Sequence, residues 1–135
     1  MHYENVLTTC PYCGVGCGVH LQVLDGQVIG VLPANSHPLS EGSLCVKGWN
    51  ANAFIYHPDR LTAPLIREGD EFREATWDEA LSLVAEKLGH VKATHGPDAI
   101  GVLTSAKCTN EENYLVQKFA RAVIGTNNVD HCARL

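Results

Sequence analysis

Four cysteines constrain this chain more than anything else in it. Cys10, Cys13 and Cys17 stand two and three residues apart, and Cys45 follows after 27 more. Such a chain must form a tight loop that turns three thiols to one side, then bring a distant segment against it. A cubane [4Fe–4S] cluster takes one thiolate at each corner, so three ligands from a loop and one from afar suit it. Gly14, Gly16 and Gly18 interleave with the ligands; glycine tolerates positive φ and lets backbone N–H groups approach sulfur closely. Hydrogen bonds of that kind tune a cluster's potential. Structural zinc also accepts four cysteines, usually as two short-spaced pairs. The three-plus-one spacing favours the cluster and leaves zinc as the alternative.

A disulfide framework suits the chain less well. Only nine residues precede Cys10, with no basic leader and no twin arginine. The expectation is a cytoplasmic location, where thiols stay reduced. Cys108 and Cys132 fall outside the pattern and read as small buried hydrophobes, the common fate of a lone cysteine; the loop position of Cys108 leaves a role near a cofactor open. Lys47, two residues past Cys45, has two readings: a solvated surface lysine, or a cation beside the cluster in contact with an anionic cofactor. The seven histidines are scattered singly, with no pair at i, i+4, and read as surface or capping residues. Asp78 and Glu79 read as acidic residues at a helix N-terminus, not as catalytic groups.

The rest of the 135 residues, 45% of them apolar, can bury a core. A net charge of −5 argues against a nucleic-acid surface, and no apolar run has the length of a membrane span. The chain divides into a cysteine-rich lobe, about Met1 to Asn52, and an α/β stretch from about Ala75. The link over 53–74, with Pro58, Pro64 and several charges, reads as irregular. Val19, Leu21 and Val23 alternate as a half-buried strand does. Asp25-Gly26 marks a two-residue hairpin turn, with the return strand over Gln27 to Leu32. Thr76 and Glu79 form a capping box, and Ala80, Leu81, Val84, Ala85, Leu88 and Val91 recur at helical spacing up to Gly96-Pro97. Ala99 to Leu103 reads as a short buried strand. A polar loop follows, then a second capping box at Thr109 and Glu112 and a helix with Leu115, Phe119 and Ala122 on one face, stopped by Gly125. Helix, strand, loop and helix are the grammar of a parallel α/β sheet, whose ligands lie beyond the carboxyl ends of strands. The loop after Leu103 is therefore a candidate cofactor contact.

Cys-Pro-Tyr-Cys-Gly-Val-Gly-Cys at 10–17, Gly-Ser-Leu-Cys-Val-Lys-Gly at 42–48 and Trp-Asp-Glu-Ala-Leu at 77–81 resemble the N-terminus of the molybdopterin oxidoreductase family. Asn-Tyr at 113–114, the run from Gln117 to Asp130 and Cys-Ala-Arg-Leu from Cys132 resemble its formate dehydrogenase catalytic subunits. The match covers essentially the whole chain. The resemblance implies a β-rich [4Fe–4S] lobe over residues 1–60, then the start of a parallel α/β molybdopterin-binding domain over 61–135. It implies that Cys10, Cys13, Cys17 and Cys45 hold the cluster, and that Lys47 is an electron relay between cluster and pterin.

The implied cofactor is bis(molybdopterin guanine dinucleotide) carrying molybdenum or tungsten. The implied reaction is formate oxidation to carbon dioxide or its reverse, with iron–sulfur electron-transfer subunits as partners. In the family a selenocysteine or cysteine that binds the metal follows Cys-Ala-Arg-Leu, with a catalytic histidine next, so His131 is not that histidine. The expectation is a selenoprotein reading frame interrupted at a UGA codon after Leu135, inactive toward formate alone and with apolar helix faces left uncovered. A stand-alone [4Fe–4S] carrier accounts poorly for residues 75–135. A nitrate reductase, or the cluster-bearing subunit of a respiratory NADH dehydrogenase, fits the ending less well.

Overall fold

The computed structural model describes residues 1–132; Ala133, Arg134 and Leu135, the rest of the Cys-Ala-Arg-Leu ending, lie outside the described residues. The fold is mixed α/β with a β-rich N-terminal region. It divides into two compact units: Met1–Pro58 with Thr104–Val116, His131 and Cys132, and Asp59–Leu103 with Gln117–Asp130.

In the first unit, β1 (Tyr3–Thr9), β2 (Gly18–Leu24) and β3 (Gln27–Pro33) form an antiparallel sheet in that order. Asp25 and Gly26 take φ of 48° and 82°, the positive values a primed two-residue turn needs to follow strand twist. The hairpin is therefore where the sequence places it. β1 is an addition: it is an edge strand with every residue exposed, so no inward-facing period marks it. Val19, Val31, Cys10 and Ala51 form the core, and Tyr12, Cys17, Leu21 and Leu44 pack around them. Two of the four marked cysteines are thus structural packing as well as thiols. Tyr12 meets Phe54 edge to face at 6.2 Å, and the Tyr56 hydroxyl accepts from the Val28 N–H at 2.9 Å. These contacts fasten the segment after Ala51 to the lobe.

The second unit corrects the reading of the link as irregular. Residues 65–74 form a hairpin, β4 (Leu65–Glu68) and β5 (Glu71–Glu74), turned at Gly69 with φ of +66°. Both strands are mostly exposed and charged, so the alternation that signals a half-buried strand is missing. Helix α2 (Trp77–His95) starts where expected, with the Glu79 N–H donating to Thr76 Oγ1 at 3.2 Å. The Glu79 carboxylate pairs with Arg73, which also bonds Glu68 at 2.6 Å; the capping box is half made. The Arg73 guanidinium holds the Glu79 carboxyl below its ordinary range, as a nearby cation favours the ionised form.

Helix α2 has no buried residue. Leu81, Val84, Ala85 and Leu88 instead face Phe119 and Val123 across a groove of about 460 Å³. The helical spacing picked the apolar face correctly, and the face is open as expected. The strand expected from Ala99 begins later. Pro97–Ala99 is a 3₁₀ turn, Ile100 is buried, and β6 covers Val102–Thr104 with Leu103 82% exposed. Helix α3 (Asn110–Phe119) runs into a π-helical turn over Ala120–Ile124, closed at Gly125 with φ of 90°. Strand β7 (Val129–His131) then joins β6 in a two-stranded sheet. Leu115, Phe119 and Ala122 are exposed; Ala120 and Ile124 are the buried positions. The Gly125 N–H bonds Ala120 O at 2.8 Å, a π-type step that shifts the helical period by a residue.

Thr126 is 2% exposed; its hydroxyl donates to Asp98 Oδ1 at 2.8 Å and accepts from the Asn128 N–H at 3.2 Å. Asn128 Nδ2 donates to Asp98 O at 2.9 Å. Thr126→Val keeps the shape and releases both partners. A loss of about 1 kcal/mol is expected, the net worth of a hydrogen bond whose partners, Asp98 and Asn128, are exposed to water, measurable by urea denaturation. Among the described residues, no helix is long and apolar enough to cross a membrane.

Candidate functional site

Two backbone hydrogen bonds shape the cysteine loop. Cys10 N–H donates to Cys17 O at 2.8 Å and Gly16 N–H to Cys13 O at 3.3 Å. Gly16 alone of the three loop glycines takes a positive φ, 65°. The other two serve close approach, a role the sequence reading did not separate. A Cβ on Gly14 would lie 2.6 Å from Asn110 Oδ1, and one on Gly18 would lie 2.5 Å from the His37 ring.

Cys45 is delivered by a segment wound onto Gly18. Ala34 N–H donates to Gly18 O at 3.0 Å, and Gly18 N–H to Ser40 Oγ at 3.3 Å. Ser40, 7% exposed, also meets His37 Nδ1 at 3.3 Å. Glu41 and Gly42 then turn through left-handed backbone, φ 44° and 81°, and Cys45 becomes the N-cap of the short helix α1 (Val46–Trp49). His37 and Ser40 were missed from the sequence, where a lone histidine and a serine carry no periodic signal. The usable clue was a glycine directly after a ligand-spaced cysteine.

Cys13, Cys17 and Cys45 line one cavity of about 600 Å³, walled also by Leu39, Ser40 and Leu44. Cys10 is 5% exposed in the adjoining core. Burial pushes the Cys17 thiol up, and the Cys10, Cys13 and Cys45 sulfurs push it further, so the other three cysteines lie within electrostatic reach of Cys17. Cys45 moves the other way. Backbone N–H groups of Gly48 and Lys47 face its sulfur and, with the Lys47 charge, hold its thiol below the ordinary value. Lys47 is exposed on α1, one turn of chain from that sulfur.

A cubane gives each thiolate its own iron and spaces the corners around a body. Three thiols around a cavity, with a fourth, Cys10, in the adjoining core, suit such a group. In the metal-free chain the sign of the shifts is testable. A lowered thiol forms thiolate at lower pH, and thiolate is the nucleophile. Cys45 is expected to alkylate faster than Cys17 near neutral pH, with its rate rising at lower pH, followed by mass-spectrometric peptide mapping.

Cys132 departs from the buried-hydrophobe expectation. It is exposed, and its sulfur accepts from the Ala106 N–H at 3.4 Å and lies 3.6 Å from Ser105 Oγ. Cys108 is half-buried. The loop after β6 is tied to α3, with Asn113 Nδ2 donating to Ser105 O at 3.2 Å. The second capping box is complete. Thr109 N–H donates to Glu112 Oε2 at 2.7 Å, and Glu112 N–H to Thr109 Oγ1 at 3.2 Å.

Three thiols around a cavity and a fourth in the adjoining core, on an antiparallel lobe in one chain with an α/β segment, define a four-cysteine ligand site. The chain belongs to the molybdopterin oxidoreductase family: the family's profile matches residues 60–135 and that of its Fe4S4 domain matches residues 3–57. An Fe4S4 cluster and molybdopterin are the cofactors that name those two profiles. The chain is 52% identical over 135 residues to the F420-dependent formate dehydrogenase 1 subunit alpha of Methanococcus maripaludis, and 53% identical to the F420-dependent formate dehydrogenase subunit alpha of Methanocaldococcus jannaschii. All of this chain is covered in both alignments, but it spans only 19% of either relative. Among solved structures, acetylene hydratase from Pelobacter acetylenicus superposes with a TM-score of 0.72 at 28% identity, over 93% of this chain and 18% of that one.

Proposed function

We propose that the chain is the electron-transfer N-terminal portion of a molybdenum or tungsten formate dehydrogenase. Cys10, Cys13, Cys17 and Cys45 hold its [4Fe–4S] cluster, residues 1–60 form the cluster domain, and 61–135 open the cofactor domain. The observation that carries this reading is the gathering of the four thiols, three of them around one cavity, with Cys17 influenced by the other three. When bound, the molybdopterin metal centre supplies formate oxidation to carbon dioxide and a proton with release of two electrons, and the cluster supplies one-electron carriage.

The chain's own residues do the rest. Cys10 anchors the site in the core, and the Gly48 and Lys47 N–H groups stabilise a thiolate at Cys45. Lys47 places a positive charge at that rim and acts as the electron relay. Iron–sulfur subunits receive the electrons. The chain's setting is the cytoplasm, where thiols stay reduced. The test is expression and reconstitution of the chain without oxygen, followed by counts of iron and acid-labile sulfide. About four of each per chain, with a brown chromophore, is the expected result for a Cys₄ cubane. A colourless, iron-free protein with zinc at the thiols would overturn it.

A further inference from the structure

A side chain of helix α3 reaches the cysteine loop from outside. Asn110, in the first turn of α3, donates Nδ2–H to Gly14 O at 2.8 Å across a sequence separation of 96. Gly14 lies between Cys13 and Cys17, and the space where its side chain would stand is filled by Asn110 Oδ1. The asparagine is itself well held. The complete Thr109–Glu112 capping box fixes the helix start, and Asn113 ties the preceding loop to the same helix. Residues 104–116 and the cysteine lobe belong to one compact unit.

We infer that Asn110 is a positioning residue for the cluster loop, setting the orientation of the Gly14–Val15 peptide and with it the Cys13 and Cys17 corners. The inference rests on the cluster reading above. A trans peptide is planar, with its C=O and N–H pointing opposite ways. Fixing the Gly14 carbonyl on Asn110 therefore fixes the direction of the Val15 N–H, and Val15 lines the same cavity as Cys13, Cys17 and Cys45. Backbone N–H groups near cluster sulfurs are one of the levers on reduction potential. A released carbonyl leaves that peptide free to turn and removes the lever.

The experiment uses the full chain loaded with iron and sulfide without oxygen. Asn110→Ala removes the donor without adding charge. Asn110→Asp keeps the shape and places an acid where a helix N-terminus welcomes one, so the helix is retained while the donor is lost. Both variants are expected to release iron to a chelator about fivefold faster than the unaltered chain, the factor that a hydrogen bond of about 1 kcal/mol carries. In Asn110→Ala the midpoint potential also shifts, and by more than in Thr126→Val, a variant loosened away from the loop in which solvent exposure alone acts on the cluster. Glu111→Gln, one residue along, leaves both readouts unchanged.

Gly14→Ala attacks the same clasp from the loop side by pushing the carboxamide away. Combined with Asn110→Ala it is expected to add nothing to the effect of Asn110→Ala, because the obstructing group is gone. Unchanged iron release and potential in Asn110→Ala overturn the inference, as does a double variant that sums its two parts. An unaltered chain that takes up no iron overturns the cluster reading itself, which separates the two failures.

Discussion

Serine in place of any one of Cys10, Cys13, Cys17 or Cys45 is expected to empty the site. Iron and sulfide should fall from about four each per chain toward zero, because a cubane that loses a thiolate corner loses the ligand set that retains it. The same change at Cys108 or Cys132 is expected to leave the counts intact, since neither lines the cavity nor acts on the Cys17 thiol as Cys10 does. The four ligand positions differ in their second effect. Cys10 is core, so Cys10→Ser also buries a hydroxyl, at about 1–3 kcal/mol on mutational scales. Cys45 is exposed, so its replacement leaves the metal-free fold nearly unchanged. Iron counts beside urea melts of the metal-free variants separate ligation from packing. A Cys108→Ser chain that lost its iron would show the four-thiol assignment to be wrong.

The second large effect falls on a residue with no side chain. Gly18→Val drives a branched side chain into the His37 ring, which leaves 2.5 Å where a Cβ would sit. The ring is not free to move aside, because His37 O, N and Nδ1 are all engaged around Ala34, Ser40 and Glu41. Destabilisation of about 3 kcal/mol is expected, the upper end of overpacking costs, with an apparent Tm lower by roughly 10 °C for a domain of this size. The same substitution displaces the segment that ends at Cys45, so iron retention falls with it. A variant with unaltered Tm and full iron would mean the segment is not seated as described.

What the sequence made legible follows from which forces act locally. The Asp25-Gly26 turn, the Thr76 cap and the Thr109–Glu112 box depend on near neighbours and were readable from them. The cysteine spacing was readable because ligation imposes a pattern that chance rarely makes. The hairpin at 65–74 was not, because its strands are mostly exposed and carry charge where a buried strand carries alternation. The buried positions Ala120 and Ile124 lie in the π turn, which departs from the 3.6 period used in counting helix faces. His37, Ser40 and Asn110 act on the cysteine loop from 19 to 96 residues away, and no local pattern encodes a contact of that reach. Cys132 was misjudged because a base rate stood in for geometry.

Strand β1 pairs on one side only, and all seven of its residues are exposed. Its outer rim therefore presents a row of unmatched peptide donors and acceptors, the kind of surface along which separate copies of a polypeptide can zip together. Glu4 is the one charged side chain in Tyr3–Thr9 to discourage this. In concentrated preparations that carboxylate is the one charge on the strand that stands in the way of such pairing.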